Sequence, residues 1–117
     1  MTNYRNGANL ERAAKRYLED NGYYVTKSGG SKGLVDLVAL KPGEVLLVQC
    51  KTDGYLAPAE RTALRQLALR LNATALAGRW AKEGRAARTV GFAELVSMEP
   101  AGNRPWTPDH ALDIGAC

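Results

Sequence analysis

The chain has 117 residues, a net charge of +4 and a pI near 9.3, enough for one domain with a real core and too few for two. Its hydrophobic fraction of 45% and charged fraction of 24% are those of an ordinary soluble globular protein, and no apolar run approaches the roughly 20 residues of a membrane span. Two cysteines and one histidine argue against a disulfide framework and against a zinc site: Cys50 lies in an apolar segment, Cys117 is the last residue, His110 stands in an irregular tail, and no CxxC pair completes a tetrahedral set.

The opening segment carries Glu11 and Asp20 where a signal peptide needs an apolar core, so an intracellular protein is expected. Residues 8–20 place Leu10, Ala13, Ala14, Tyr17 and Leu18 at helical spacing, and Asn21-Gly22 supplies a stop. At about 100° per residue these positions span an arc from about 300° through zero to about 80°, with Glu11 near 100°. Glu11 therefore falls at the border of the buried face, and Arg12, Lys15 and Arg16 face outward. A strand at 23–27 and a loop, "SGGSKG", follow. Next, "LVDLVALKPGEVLLVQCK" at 34–51 reads as two apolar strands joined by a Pro-Gly turn.

The segment 56–72, "LAPAERTALRQLALRLN", predicts a second helix with Pro58 in its first turn, a core stripe of Ala63, Leu64, Leu67, Ala68 and Leu71, and Asn72 as its stop. "ATALAGRW" predicts a strand, residues 81–87 a basic loop, and "RTVGFAELV" a further strand. Beyond Pro100 no period is visible, so residues 1–99 are read as one domain and 100–117 as an extension of no assigned type. The order is helix, three strands, helix, one or two strands. It predicts an α/β sheet in which a helical crossover joins parallel strands.

The hairpin also predicts a site. Either loop compatible with Lys41-Pro42-Gly43-Glu44 gives one register, in which Leu40 meets Val45, Val38 meets Leu47 and Asp36 meets Gln49, unless a bulge intervenes. Lys51 then shares their face one step on. A carboxylate, an amide oxygen and an ammonium at one strand end suit a small hard cation and a developing phosphoryl charge. The simpler alternative is an ion pair between Asp36 and Lys51 with Gln49 as a hydrogen-bonded neighbour. The basic residues cluster on either side of the hairpin: Arg5, Arg12, Lys15, Arg16, Lys27 and Lys32 before it, and Arg61, Arg65, Arg70, Arg79, Lys82, Arg85 and Arg88 after it. Such clustering suits a polyanion-binding face, or a merely solvated basic surface.

The stretch "GANLERAAKRYLEDNGYYVTKSGGSKGLVDLVALKPGEVLLVQCK" resembles the archaeal-type Holliday junction resolvases of the PD-(D/E)xK nuclease superfamily. The resemblance rests on the conjunction of a helix-borne "ER", a Ser/Gly loop, a "VDLVA" strand and an xxK strand. It implies a restriction-endonuclease-like fold, a central mixed β-sheet flanked by helices in the order α-β-β-β-α-β-β. It also implies a catalytic set of Glu11, Asp36, Gln49 and Lys51 with a loop serine, either Ser28 or Ser31. Glu11, Asp36, Gln49 and the backbone carbonyl of Cys50 would hold Mg²⁺ or Mn²⁺. Arg12, Lys27 and Lys32 fall where the family contacts DNA, and the charge distribution adds Arg16, Arg61 and Arg65.

The departure is Gln49, where the family usually has glutamate. Its amide oxygen can ligate a hard cation but brings no charge, which predicts weaker metal affinity and better activity with Mn²⁺ than with Mg²⁺. The expected function is a metal-dependent endonuclease acting at four-way DNA junctions as a homodimer, since two symmetric nicks ask for two sites related by a two-fold axis. The alternatives are a non-cleaving DNA-binding protein with a decayed site, and a nuclease for other branched or duplex DNA.

Overall fold

Leu10, Ala14 and Leu18 are fully buried and define the inner face of helix α1 (Thr2–Asp20). The expected apolar spacing is thus the packing face, and the helix begins several residues earlier than the periodicity alone predicts. The computed structural model describes residues 2–28, 34–52, 55–81, 89–96 and 103–108. Helix α1 ends where Gly22, at φ 93°, lets the Tyr23 amide donate to the Leu18 carbonyl at 3.1 Å and its own amide donate to the Glu19 carbonyl at 3.0 Å. This is a Schellman closure, and a side chain at Gly22 would strain it.

Strands β1 (Tyr24–Lys27), β2 (Leu37–Lys41) and β3 (Glu44–Cys50) form an antiparallel meander, and helix α2 (Pro58–Leu71) carries the chain over to β4 (Thr74–Ala81). Strand β4 pairs parallel to β3, and β5 (Thr89–Leu95) pairs antiparallel to β4. Among the described residues, six strands follow one another in sequence order across a single mixed sheet. The parallel pair forms where a helix intervenes, as a crossover connection requires. Strand β6 (Asn103–Trp106) lies in the segment that carries no period and pairs with β5 at the sheet edge. Its Pro105 is tolerated there because an edge strand need not donate on its outer side.

One helix covers each face. On the first, Ala14 and Leu18 of α1 pack on Val25, Leu37, Ala39, Leu46, Val48, Leu76 and Phe92. On the second, Leu64 and Ala68 of α2 pack on Leu47, Ala75, Ala77 and Leu95. Each fully buried leucine contributes roughly 1.5–3 kcal/mol of burial free energy. The buried stripe of α2 is Arg61, Leu64 and Ala68, which corrects the expected one: Ala63 is exposed and Leu71 is 52% exposed. Leucines occur on more than one side of this helix, and the stripe it buries is the one whose small Ala68 allows close approach to the sheet. Asn72 ends it in a left-handed conformation at φ 56° and ψ 44°, as expected.

Candidate active site at the open end of the hairpin

The hairpin closes through Pro42 and Gly43, with Gly43 at φ 76°, the value a type II turn needs after a proline. Lys41 pairs with Glu44, Leu40 with Val45, Val38 with Leu47 and Leu37 with Val48, so the expected register holds along the whole ladder. It stops one pair short of Asp36 and Gln49. The Asp36 amide donates to the Val48 carbonyl at 2.8 Å, the residue that Leu37 already opposes, so two residues of one strand meet one of the other, as in a bulge. The kink turns the Asp36 carboxylate across the strand, where Oδ2 accepts from the Cys50 amide at 2.8 Å. Asp36 and Gln49 are therefore not a ladder pair; the aspartate caps the backbone of the neighbouring strand instead.

Glu11 approaches the same end of the sheet from α1. Its carboxyl is held above the usual glutamate value, first by burial and then by the Asp36 charge, with Lys27 offsetting part of this. Lys27 Nζ lies 3.9 Å from Glu11 Oε1 and is largely exposed, a loose pair that leaves the ammonium free to meet a phosphate. The Cys50 thiol packs against the α1-side core, and burial, Asp36 and Glu11, in that order, push its pKa up. Ser28 is placed beside Asp36, its amide donating to the Asp36 carbonyl at 2.9 Å. Ser31 and Lys32 lie outside the described residues, as do His110 and Cys117.

Gln49 and Lys51, two residues apart, fall on the face opposite the Cys50 thiol. The Gln49 Oε1 atom is buried and has no hydrogen-bond partner among the described residues, a costly state for an amide oxygen unless a donor or cation meets it. Lys51 is pinned by its amide to the Gly78 carbonyl at 2.9 Å. Its ammonium pairs with Glu60 Oε2 at 3.1 Å, and among the described residues it meets no other carboxylate, so the alternative of an Asp36–Lys51 ion pair does not form. Glu60 was missed in the sequence because Glu at the third position after the N-cap Ala57 reads simply as a helix start. Its other oxygen does serve that start, accepting from the Ala57 amide at 3.1 Å.

No group of three or more His, Cys, Asp or Glu side chains converges on a metal position among the described residues. Glu11 and Asp36 are the two carboxylates at the kink, whereas the amide oxygen of Gln49 falls on the strand face opposite the Cys50 thiol. A carboxylate pair of this kind suits a hard divalent cation, which would relieve the repulsion between the two. The outward face of α1 offers a shallow cavity of about 320 Å³ lined by Asn9, Arg12, Ala13 and Arg16, and Arg12 and Arg16 are exposed there. Arg61 and Arg65 do not join that basic surface. Arg61 is 3% exposed and its pKa is lowered by desolvation and by Arg65, while Arg65 donates to the Val96 carbonyl at 2.9 Å. Helix α2 turns these two guanidinium groups inward, which corrects the expectation that they contact DNA.

A mixed sheet with a helix on each face, and two acids and a lysine near one set of strand ends, defines an α/β fold that gathers charged side chains at one end of its sheet. The profile of the archaeal Holliday junction resolvases (Hjc) matches residues 2–77, and the chain belongs to that family. The crossover junction endodeoxyribonuclease Hjc of Methanocaldococcus jannaschii is 55% identical over 51 residues, a stretch that spans 44% of this chain and 38% of that protein. The solved structure of Archaeoglobus fulgidus Hjc, a Holliday junction resolvase from an archaeal hyperthermophile, aligns with a TM-score of 0.62 and 22% identity over 92% of this chain and 93% of its own. The second likeness establishes the fold.

Proposed function

We propose that this chain is a metal-dependent, structure-selective DNA endonuclease that hydrolyses phosphodiester bonds at four-way junctions, working as a homodimer inside the cell. The observation that carries the reading is that Glu11, Asp36 and Lys51 all stand at the end of one sheet, within the segment that matches the family. Glu11, Asp36, the Gln49 amide oxygen and the Cys50 backbone carbonyl would hold Mg²⁺ or Mn²⁺. A divalent cation bound there supplies neutralisation of phosphate charge and a more acidic water.

The chain's own groups do the rest. Arg12 and Arg16 on the outer face of α1, with Lys27 at the end of β1, bind and orient the phosphate backbone. The Lys51 ammonium faces the charge that grows on the phosphoryl oxygens as water attacks phosphorus and the P–O ester bond breaks. Specificity then follows from branch shape and phosphate positions rather than from base edges.

A second reading, a junction-binding protein that no longer cleaves, is favoured by the neutral Gln49. One experiment separates the two: labelled four-way junction, matched duplex and flap are incubated with the protein and with Asp36→Asn in Mg²⁺ or Mn²⁺. Paired symmetric nicks in the junction, absent in the variant, support the nuclease. Tight binding without nicks in either metal refutes it, and nicks confined to flap or duplex reassign the substrate. Gln49→Glu should bind Mg²⁺ more tightly than the natural chain, by calorimetric titration; equal affinity counts against a ligand role for position 49.

A further inference from the structure

Position 49 leaves a charge unaccounted for. In the ExK arrangement that the family resemblance implies, an acid two residues before the lysine shares its strand face. Gln49 keeps the shape of that acid without the charge, yet Lys51 is not left without a carboxylate. Glu60 reaches it from a different element, at 3.1 Å from the first turn of α2.

The contact is built from both sides. Lys51 is fixed at its backbone by β4 through the Gly78 carbonyl at 2.9 Å. Glu60 is fixed at its carboxylate, because Oε1 accepts from the Ala57 amide while Oε2 meets the ammonium. A carboxylate tied at one oxygen has little rotamer freedom left to lose on pairing, so it presents the other oxygen in one place. The two side chains are 30% and 40% exposed, and a pair so open to water contributes little to stability. Holding a flexible four-carbon lysine stem in one orientation is therefore its more consequential effect.

We propose that Glu60 is a positioning residue for the cleavage reaction: through its ion pair it holds the Lys51 ammonium at the site and supplies the negative charge that Gln49 lacks. This rests on the nuclease reading given above. It makes the working set of this chain Asp36, Lys51 and Glu60 with Glu11, the acid beside the lysine having moved from the strand to the following helix.

The test is a four-variant cycle of the natural chain, Glu60→Gln, Gln49→Glu and the double variant, read as single-turnover nicking of a labelled four-way junction at saturating protein, with junction affinity and melting temperature measured alongside. Glu60→Gln keeps an amide oxygen for the Ala57 amide, so the helix start survives, and Glu60→Ala controls for losing both contacts. The expected result is a fall in nicking rate of about tenfold or more in Glu60→Gln, with junction affinity within about twofold of the natural chain. Restoration of the rate in the double variant to within about threefold is also expected, since the strand would again carry the acid.

A role confined to the helix start would move melting temperature and would not respond to Gln49→Glu. A natural chain that nicks and a Glu60→Gln variant that nicks equally fast overturn the assignment alone. A slow Glu60→Gln that Gln49→Glu leaves slow overturns the charge replacement. A natural chain that never nicks overturns the nuclease reading and this assignment with it.

Discussion

Two substitutions at position 36 can separate the structural role of Asp36 from the chemical role proposed for it. Its Oδ2 is the partner of the Cys50 amide at 2.8 Å in a part-buried position. Asp36→Ala leaves that amide without an acceptor at the strand end, which costs about 1–3 kcal/mol. For a chain of 117 residues an unfolding entropy of about 2.1 cal/mol/K per residue makes each kcal/mol worth about 4 °C, so Asp36→Ala should melt about 4–12 °C lower.

Asp36→Asn retains an acceptor oxygen of the same shape. The bond loses its charge assistance, about half its strength, while the repulsion that Asp36 exerts on Glu11 disappears. These changes oppose each other, and the melting temperature should stay within about 4 °C of the natural chain. Nicking of a labelled junction should nonetheless fall by about a hundredfold or more in the asparagine variant, a loss of about 2.7 kcal/mol of transition-state stabilisation. An alanine variant that melts with the natural chain refutes the structural role of the Asp36–Cys50 bond. An asparagine variant that nicks at the natural rate refutes the chemical one.

Glu11 gives a pH dependence of defined sign. Because its carboxyl is raised in the folded state, the stability it contributes is present below the usual glutamate value of 4.5 and is lost as pH rises through the raised value. Glu11→Gln should therefore melt higher than the natural chain near neutral pH, with the advantage vanishing in acid; a difference independent of pH removes the electrostatic explanation. Arg16→Ala should leave melting unchanged and lower the slope of log junction affinity against log salt by about 1, whereas Arg61→Ala, at a 3% exposed position, should cost about 1–3 kcal/mol of stability and leave the slope alone. Leu46→Ala, in the middle of β3 and fully buried, should destabilise by about 2–5 kcal/mol, moving a urea midpoint down by at least about 1 M at an m-value near 2 kcal/mol/M.

The residues that could be read from the sequence are those whose position depends on local period alone. Leu10, Ala14 and Leu18 recur at one helical face, and the Pro42-Gly43 turn fixes a register that holds from Lys41 to Leu37. Glu11 falls at the border of its helix face by the same arithmetic. Arg61 could not be read this way, since an apolar-letter count assigns an arginine outward and only the angle of α2 on the sheet turns it in. Strand β6 has four residues, with Pro105 among them, and owes its form to the exposed edge of β5 rather than to any propensity of its own. The kink at Asp36 is a competition between a side chain and the ladder for one backbone amide, which spacing cannot foresee.

Glu60 was hidden for a related reason: its spacing explains one of its two contacts completely, and only the tertiary position of α2 discloses the other. The partition of charge at the site follows from the sheet itself. Alternation sends the Cys50 thiol to the α1 face, where burial, and after it Asp36 and Glu11, raise its pKa, and sends Lys51 to the α2 face, where Glu60 receives it. An acid at position 49 would stand on the lysine's own strand face; with glutamine there, the acid comes from the next element that the lysine can reach. The Glu60 carboxyl is correspondingly held below its usual value, chiefly by its hydrogen bond from Lys51. Asp36 and Glu11 stand on one side of the kink and Lys51 with Glu60 on the other, so on the nuclease reading proposed above a scissile phosphate at the strand end would meet both signs of charge.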